Sequence, residues 1–171
     1  MKNHIIPSFL VVALVCFAGC GGPQRPADLP DLYPVRITVV QDGQPLEGAT
    51  VIMMAEDTPL RFAIAGITNS SGVATIHTDI DWPGAPAGRY LATVRKVVAP
   101  TADMSLDYEA QQAAAAAAAG QTRSLVNSKY LRFNTTDLRV EVTSSGATAT
   151  FDVGPAVDEL WDNVAGGSSA N

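Results

Sequence analysis

Three side chains of the kind that bind metal ions alternate along one short stretch of the chain. His77, Asp79 and Asp81 are each separated by one residue, so in an extended strand their side chains project from the same face. One imidazole and two carboxylates are ligands that a divalent cation accepts. The same residues also suit a solvated strand end that leads into a loop. The spacing therefore gives a metal-site hypothesis with a purely structural alternative.

An aromatic residue follows directly in the same stretch. Trp82 lies in a turn-rich loop, residues 79–87, and Tyr90 follows shortly after it. Together the two rings could form a platform on which a sugar stacks. A tryptophan followed by Pro83 equally suits an anchor that fixes a loop to the edge of a core. Trp82 is therefore a candidate residue for binding a carbohydrate or small ligand.

The residue sets of common enzymes are missing from the sequence. A nucleophilic triad needs a histidine or equivalent base beside a serine or cysteine, and His77 is the one histidine after position 20. No serine lies in a Gly-x-Ser-x-Gly elbow, and no glycine-rich loop of the phosphate-binding type is present. We therefore expect a protein that is not an enzyme and that has no cofactor.

Length and composition set the broad class of the protein. The chain has 171 residues, of which 47% are hydrophobic and 16% charged, and its formal net charge is −6. This length suits one domain with appendages, and the apolar content is too high for a disordered chain. The acidic balance argues against a nucleic-acid partner, which requires a basic face.

The first twenty residues have the form of an export signal. Lys2 is followed by an apolar run over residues 9–17, which is long enough for a signal peptide but shorter than the roughly 20 apolar residues of a spanning helix. The run ends in Phe-Ala-Gly-Cys, residues 17–20. This ending resembles the lipobox of bacterial lipoproteins, in which the cysteine thiol is lipidated and the chain is cut before it. The resemblance implies a signal peptide over residues 1–19 and a lipid anchor on Cys20.

Cysteine usage agrees with a lipid anchor. Once residues 1–19 are removed, Cys20 is the only cysteine, so no internal disulfide can form. Two or three acyl chains would hold the protein firmly, at about 0.8 kcal/mol per buried CH₂. The alternatives are an ordinary secretory signal with an incidental cysteine, or an uncleaved membrane anchor. The lipobox reading places the protein in the bacterial cell envelope, attached to a membrane and facing the periplasm or the exterior.

The remainder of the chain divides into a tether, a domain and a tail. Residues 20–34 are rich in proline and have no apolar period, which predicts an extended tether. Between residues 35 and 154, short alternating runs are separated by turn residues, a pattern typical of a β-sandwich. Seven strands are predicted, over residues 35–40, 49–53, 62–68, 73–77, 89–95, 138–142 and 147–153. The predicted core residues are Leu46, Val51, Ile76, Tyr90, Val94, Leu138, Val140 and Phe151.

Two helices are predicted outside this strand pattern. An insertion over residues 99–129 contains seven alanines in a row, and we expect a helix there with Asp103 as its N-cap, weak packing and no function. In the tail, residues 155–171, helical spacing relates Val157, Leu160, Trp161 and Val164. Pro155 suits the first position of this short C-terminal helix. We expect the helix to dock on the chain's own sandwich, with a partner site as the alternative.

Several turn and strand motifs together resemble a known family. Residues 42–51, 68–72, 84–94 and 129–130, followed by Leu138, resemble the carboxypeptidase regulatory-like domain. The resemblance covers residues 35–154 and implies a seven-stranded transthyretin-like or immunoglobulin-like β-sandwich. The alanine run and Asn69, where an acidic residue is common, depart from the family's pattern.

The family resemblance also bears on function. It implies an accessory or binding fold, although a fold alone does not give a function. We therefore expect a non-catalytic, membrane-anchored envelope lipoprotein that binds or scaffolds a protein or glycan of the envelope. The alternative is a module that binds a carbohydrate or small ligand through the 79–87 loop.

Overall fold

The computed structural model describes residues 24–57, 59–99, 105, 107–118 and 121–160. These residues form an all-β sandwich with one α-helix on its outside, as the alternating pattern predicts. The predicted lipidation residue Cys20 lies outside the described residues, as do Asp103, Trp161 and Val164.

Thirteen strands are present in the described residues, rather than seven. Six of them have only two residues, a length over which no alternation can be recognised in a sequence. The α-helix is α1 (Tyr108–Ala118), and a 3₁₀ helix covers Ser128–Leu131. The strands are β1 (Val35–Gln41), β2 (Gln44–Pro45), β3 (Thr50–Ala55), β4 (Ile64–Ile67), β5 (Val73–Thr75), β6 (His77–Thr78), β7 (Trp82–Pro83), β8 (Gly88–Arg95), β9 (Val97–Val98), β10 (Arg123–Ser124), β11 (Arg139–Val142), β12 (Ala147–Asp152) and β13 (Glu159–Leu160).

Two sheets enclose the core. The first is four-stranded, with β1 at its centre, β12 on one side and both β2 and β5 on the other. The second is six-stranded, in the order β11-β8-β3-β4-β6-β7. Neighbouring strands are antiparallel except for β1 and β12, which are parallel. A small third sheet has the order β13-β10-β9.

The core follows from strand alternation. In β1 every second residue from Val35 is buried, and in β8 Tyr90 and Val94 are buried on the inner face. The Tyr90 hydroxyl donates to the Pro86 carbonyl at 2.8 Å, and burial raises the pKa of Tyr90 to about 12, so this donor keeps its proton at neutral pH. Of the eight predicted core residues, Leu46 is partly buried against the core and the other seven are buried.

Close packing at one turn explains a glycine of the family-like motifs. Gly72 has a φ of +73°, a conformation that side chains with a Cβ rarely adopt. A Cβ at this position would lie 2.6 Å from the Val39 carbonyl oxygen. Backbone angle and contact distance therefore both require glycine where the chain turns from β4 to β5.

The last part of the predicted tether is packed onto the sandwich. Leu29 is buried, and Tyr33 exchanges two backbone hydrogen bonds with Ala85 at 2.9 and 3.0 Å. Asp28 forms an exposed ion pair with Arg61. The folded domain therefore begins before residue 35, because apolar residues set singly between prolines can pack without an apolar period.

The predicted insertion has two different halves. In the first half, Asp107 caps α1 by accepting from the Ala110 amide at 2.9 Å, and no residue of α1 is buried. In the second half, Val126 is almost fully buried in the core, as is Leu131, two residues beyond the insertion. The helix is therefore exposed as expected, but the stretch that follows it is structural and not filler.

Removal of the helix should have little effect on stability, whereas a substitution in the buried stretch after it should have a large one. A short Gly/Ser linker in place of residues 107–122 is expected to change the free energy of unfolding by less than about 1 kcal/mol, because loop closure depends weakly on length. Leu131→Ala, in the buried stretch just after the insertion, should lower the free energy of unfolding by about 2–5 kcal/mol. Denaturant midpoints of the full chain check both values. A linker variant as unstable as Leu131→Ala would contradict the assignment.

The predicted C-terminal helix is wrong over the described residues, 155–160. Glu159 and Leu160 form β13, which pairs with β10, and Arg123 of β10 forms an ion pair with Asp158. The apolar spacing suits a helix, but a helix would leave one edge of β10 without backbone hydrogen bonds. A strand at residues 159–160 pairs with that edge. Tertiary pairing therefore decides the conformation against the local pattern.

Candidate functional site

The chain changes sheets at one residue and so forms a corner of the sandwich. β5 pairs with β1 in the first sheet, whereas β6 pairs with β4 in the second. Between them Ile76 is fully buried, and its amide donates to the Val35 carbonyl at 3.0 Å. Its burial fixes the corner, and the outer side of this corner is concave.

A groove of about 550 Å³ occupies the outer side of the corner. Its volume falls within the roughly 300–1,000 Å³ typical of ligand-binding clefts. We call it the corner groove. It is lined by Thr50, Ala65, Gly66, Ile67, Asn69, Val73, Thr75, His77 and Ile80.

Two exposed isoleucines make the corner groove apolar. In β4, Ile64 faces the core, and Ile67, three residues later, faces outward with 67% of its surface exposed. Ile80 lies on the turn after β6 and is 89% exposed. Neither side chain contributes to the core, so burial within this domain does not account for them.

The backbone that presents Ile80 is strained. Asp79 and Ile80 have φ values of +48° and +68°. Asp tolerates this left-handed conformation, but a β-branched residue there is an outlier. Strain of this kind costs on the order of 1–3 kcal/mol and concentrates at functional sites. The turn therefore holds an isoleucine where glycine or asparagine would be more stable.

Hydrogen bonds hold the strained turn in place. The Asp79 carboxylate accepts from the Ala63 amide at 2.9 Å, and the Asp79 amide donates to the Ala63 carbonyl at 2.8 Å. The buried Thr78 hydroxyl donates to the Gly84 carbonyl at 2.8 Å. Ile80 is thus fixed at the rim of the corner groove by contacts on both sides of the turn.

Relief of this strain should stabilise the protein. Ile80→Gly is expected to raise the free energy of unfolding by about 1 kcal/mol, because glycine adopts positive φ freely and the exposed side chain gives up no packing. Ile80→Val keeps a β-branched residue and should leave stability unchanged. Thermal or denaturant unfolding of the full chain measures both. A loss of stability in the glycine variant would show that Ile80 packs against another part of the protein.

Polar groups are also available in the corner groove. Nδ1 of His77 lies 3.2 Å from the Thr75 carbonyl oxygen. The side-chain oxygen of Asn69 is already used, because it accepts from the amides of Ser71 and Val73. Among the described residues, no hydrogen bond occupies Nε2 of His77 or the Thr75 hydroxyl. These atoms can bond to a ligand that enters the groove.

The predicted metal site is not formed. His77, Asp79 and Asp81 are all described, and no group of three metal-binding side chains is found among the described residues. The reason is the positive φ of Asp79 and Ile80, which ends the extended alternation on which the prediction rested. The Asp79 carboxylate is used instead to hold the turn. Only His77 of the three lines the groove.

The predicted aromatic platform is not formed either. Tyr90 is buried in the core and does not line the corner groove. Trp82 lies half-buried in β7, where it pairs with Thr78. Trp82 does not line the corner groove, and Ile80 is the residue of the 79–87 loop that reaches it.

A second, smaller cavity of about 200 Å³ lies at the end of the same loop. Ala87, Leu60 and Tyr90 line it, and an exposed ion pair at 2.8 Å joins Arg89 to Asp57. The Arg89 guanidinium hydrogen-bonded to Asp57 holds the pKa of that carboxyl below its usual value. The volume of this second cavity is below the usual range for ligand clefts, so the corner groove is the better candidate for a binding site.

Sequence reasoning missed both exposed isoleucines. Ile80 stands between two aspartates in a turn, and an apolar residue at a turn tip was the available signal. For Ile67 the signal was parity, because Ile64 and Ile67 cannot face the same side of one strand.

Comparisons with protein-family models, with curated proteins and with solved structures give no match for this chain. Within the described ranges, no helix has the length and apolar character needed to cross a membrane. The candidate site therefore has to be interpreted from its own geometry and chemistry.

Proposed function

We propose that this protein is a lipoprotein of the bacterial cell envelope, anchored through Cys20, whose non-catalytic β-sandwich binds another envelope component at the corner groove. The exposed pair Ile67 and Ile80 at the groove is the observation that carries the binding part of this proposal. The lipobox-like residues 17–20 carry the anchoring part.

Chain length limits where an anchored domain can sit. Leu29 is already part of the folded domain, and it follows Cys20 by nine residues. Nine residues span at most about 30 Å, whatever their conformation. A lipid on Cys20 would therefore hold the sandwich close to the membrane surface, where its partner must also be accessible.

The finer fold belongs to the same proposal. We infer a seven-stranded transthyretin-like arrangement of the carboxypeptidase regulatory-like type, in which the two-residue strands are extensions of the main seven. Support comes from the motif glycines, because Gly43, Gly48 and Gly72 all have positive φ at turns. Such domains serve as binding modules in the family that the sequence resembles.

Apolar exposure at the corner groove favours a protein partner. Soluble domains place large apolar side chains on concave surfaces chiefly where a partner covers them. Ile80 is held at the rim despite backbone strain. Because its side chain is exposed, this strain is explained by binding of a partner rather than by packing within the domain. His77 and Thr75 supply hydrogen bonds beside the isoleucines.

Site-specific cross-linking in intact cells tests the binding site. A photoreactive amino acid at position 80 should give one discrete protein adduct, and the same amino acid at position 54 should not. Met54 is the matched control, since it is an exposed apolar residue of β3 that does not line the groove. Ile67→Ser in the same chain should remove the adduct. Equal adducts from positions 54 and 80 would contradict the assignment.

One observation favours the alternative, a module for a carbohydrate or small ligand. The groove volume of about 550 Å³ suits a small molecule, and Ile80 comes from the 79–87 loop. Titration of the full chain with soluble peptidoglycan fragments, followed by tryptophan fluorescence, distinguishes the two. Saturable binding that Ile67→Ser abolishes, together with no protein adduct at position 80, would establish the alternative.

A further inference from the structure

β12 is an edge strand of six residues with one side unpaired by any described strand. It pairs with β1 over its whole length, from Val35 with Ala147 to Val40 with Asp152. No strand among the described ranges pairs with its other side. A long unpaired edge presents a row of backbone donors and acceptors to another chain.

The hydrogen bonds between β12 and β1 show which backbone groups of β12 point toward the open edge. The amide of Ala147 donates to the Pro34 carbonyl at 2.9 Å, and the amide of Val153 donates to the Val40 carbonyl at 3.0 Å. In a parallel ladder successive residues bond to opposite sides. The backbone N–H and C=O groups of Thr148, Thr150 and Asp152 therefore point away from β1, toward the open edge.

Three other edges of these sheets, at β7, β2 and β11, carry features that block strand addition. β7 and β2 have two residues each and end in a proline. β11 alternates Arg139 and Glu141 outward, and Arg139 forms an ion pair with Glu56. β12 reads Ala-Thr-Ala-Thr-Phe-Asp, without lysine, arginine, proline or a bulge in its register.

The core is also incompletely covered along this edge. Ala147 and Ala149 share the inner face of β12 with Phe151, yet both remain partly exposed while Phe151 is buried. An inward-facing residue stays exposed when no strand lies beside it. Addition of a strand would extend the sheet and bury both alanines.

We propose that β12 pairs with β12 of a second copy of this chain, antiparallel about a two-fold axis at Thr150. In this register the edge-facing backbone groups of Thr148, Thr150 and Asp152 all pair with the second copy, which forms about six backbone hydrogen bonds. It keeps inner faces together, because Ala149 lies opposite Phe151 of the second copy. Thr148 lies opposite Asp152 of the second copy, so no like charges meet.

Self-complementarity selects a second copy over a different protein. A two-fold interface requires that one surface match itself, and the uncharged centre Ala149-Thr150-Phe151, with the single carboxylate of Asp152 opposite Thr148, does so. The pairing involves neither Cys20 nor the corner groove, so it stands independently of the proposed function. It adds a dimer in which both grooves remain accessible.

Two lysine variants at neighbouring exposed threonines test the proposal. We expect light scattering of the full chain in detergent to give a dimer. Thr150→Lys places two lysines directly opposite each other and should raise the dimer dissociation constant at least tenfold. Thr148→Lys places lysine opposite the aspartate of the second copy and should leave the constant unchanged or lower it. Far-ultraviolet circular dichroism checks that both variants remain folded.

Cysteine variants test the register. Thr150→Cys should form an intermolecular disulfide on mild oxidation, because position 150 lies opposite itself. Thr148→Cys should not, since the two copies of position 148 are separated by about 13 Å along the strand, beyond disulfide reach. The unsubstituted chain is the control for Cys16 and Cys20. A monomeric chain, or equal weakening by the two lysine variants, would overturn the proposal.

Discussion

Phe151→Ala is expected to lower the free energy of unfolding by about 3–5 kcal/mol. Phe151 is 4% exposed and packs in the core beside strands of both sheets. The substitution removes a large buried ring and leaves a cavity that the sheets cannot close. Because a domain of this size has only about 5–15 kcal/mol of stability, the variant should unfold at much lower denaturant concentration.

An exposed aromatic residue provides the matched control. Tyr108 at the start of α1 is 73% exposed, so Tyr108→Ala should stay within about 0.5 kcal/mol of the unsubstituted chain. Denaturant unfolding of both variants, followed by tryptophan fluorescence, gives the comparison. If Phe151→Ala were as stable as Tyr108→Ala, the inward parity assigned to β12 would be wrong.

Cys20→Ser is expected to abolish attachment through lipid. If the thiol of Cys20 carries the anchor, serine cannot be lipidated, and the chain should accumulate as uncleaved precursor or appear in soluble form. Detergent phase partitioning of cell extracts measures the change. Nearly all of the protein should shift from the lipidated mature form to the unlipidated precursor or the soluble form.

A second cysteine in the same segment gives the control. Cys16 lies inside the apolar run and would leave with the signal peptide, so Cys16→Ser should partition like the unsubstituted chain. Loss of membrane attachment in both variants would indicate a general defect of export. Retention of attachment in Cys20→Ser would contradict the lipid anchor.

Alternation in the sequence predicts the main strands because one face of each is buried. β1 and β8 show this directly, with buried residues at every second position on the core side. The same reasoning cannot find strands of two residues such as β10 and β13, whose pairing depends on distant segments. For this reason the sequence predicts a helix in the tail, although residues 159–160 pair as a strand.

The candidate site depends on backbone angles that a sequence does not display. His77, Asp79 and Asp81 alternate, and the metal hypothesis assumed that the chain stays extended through all three. The turn at Asp79 and Ile80 breaks that assumption. It also places Ile80 at the groove, because an unfavourable conformation is maintained by the hydrogen bonds of Asp79 to Ala63.

The burial of isolated apolar residues could not be predicted from the sequence either. Leu29 and Leu131 lie in stretches with no apolar period, one assigned to a tether and one following an alanine-rich insertion. Both are nevertheless buried. Single buried residues of this kind have no apolar period around them in the sequence from which their role can be inferred.

Intact mass spectrometry of the mature protein, purified from membranes, tests whether Cys20 carries a lipid anchor. We expect residues 1–19 to be absent and the first residue, Cys20, to carry the added mass of lipid on its thiol and amino group. Mild alkaline hydrolysis should release the ester-linked chains as fatty acids. A mature chain that retains residues before Cys20, or that begins elsewhere without a lipid adduct, would contradict a lipid-anchored envelope protein.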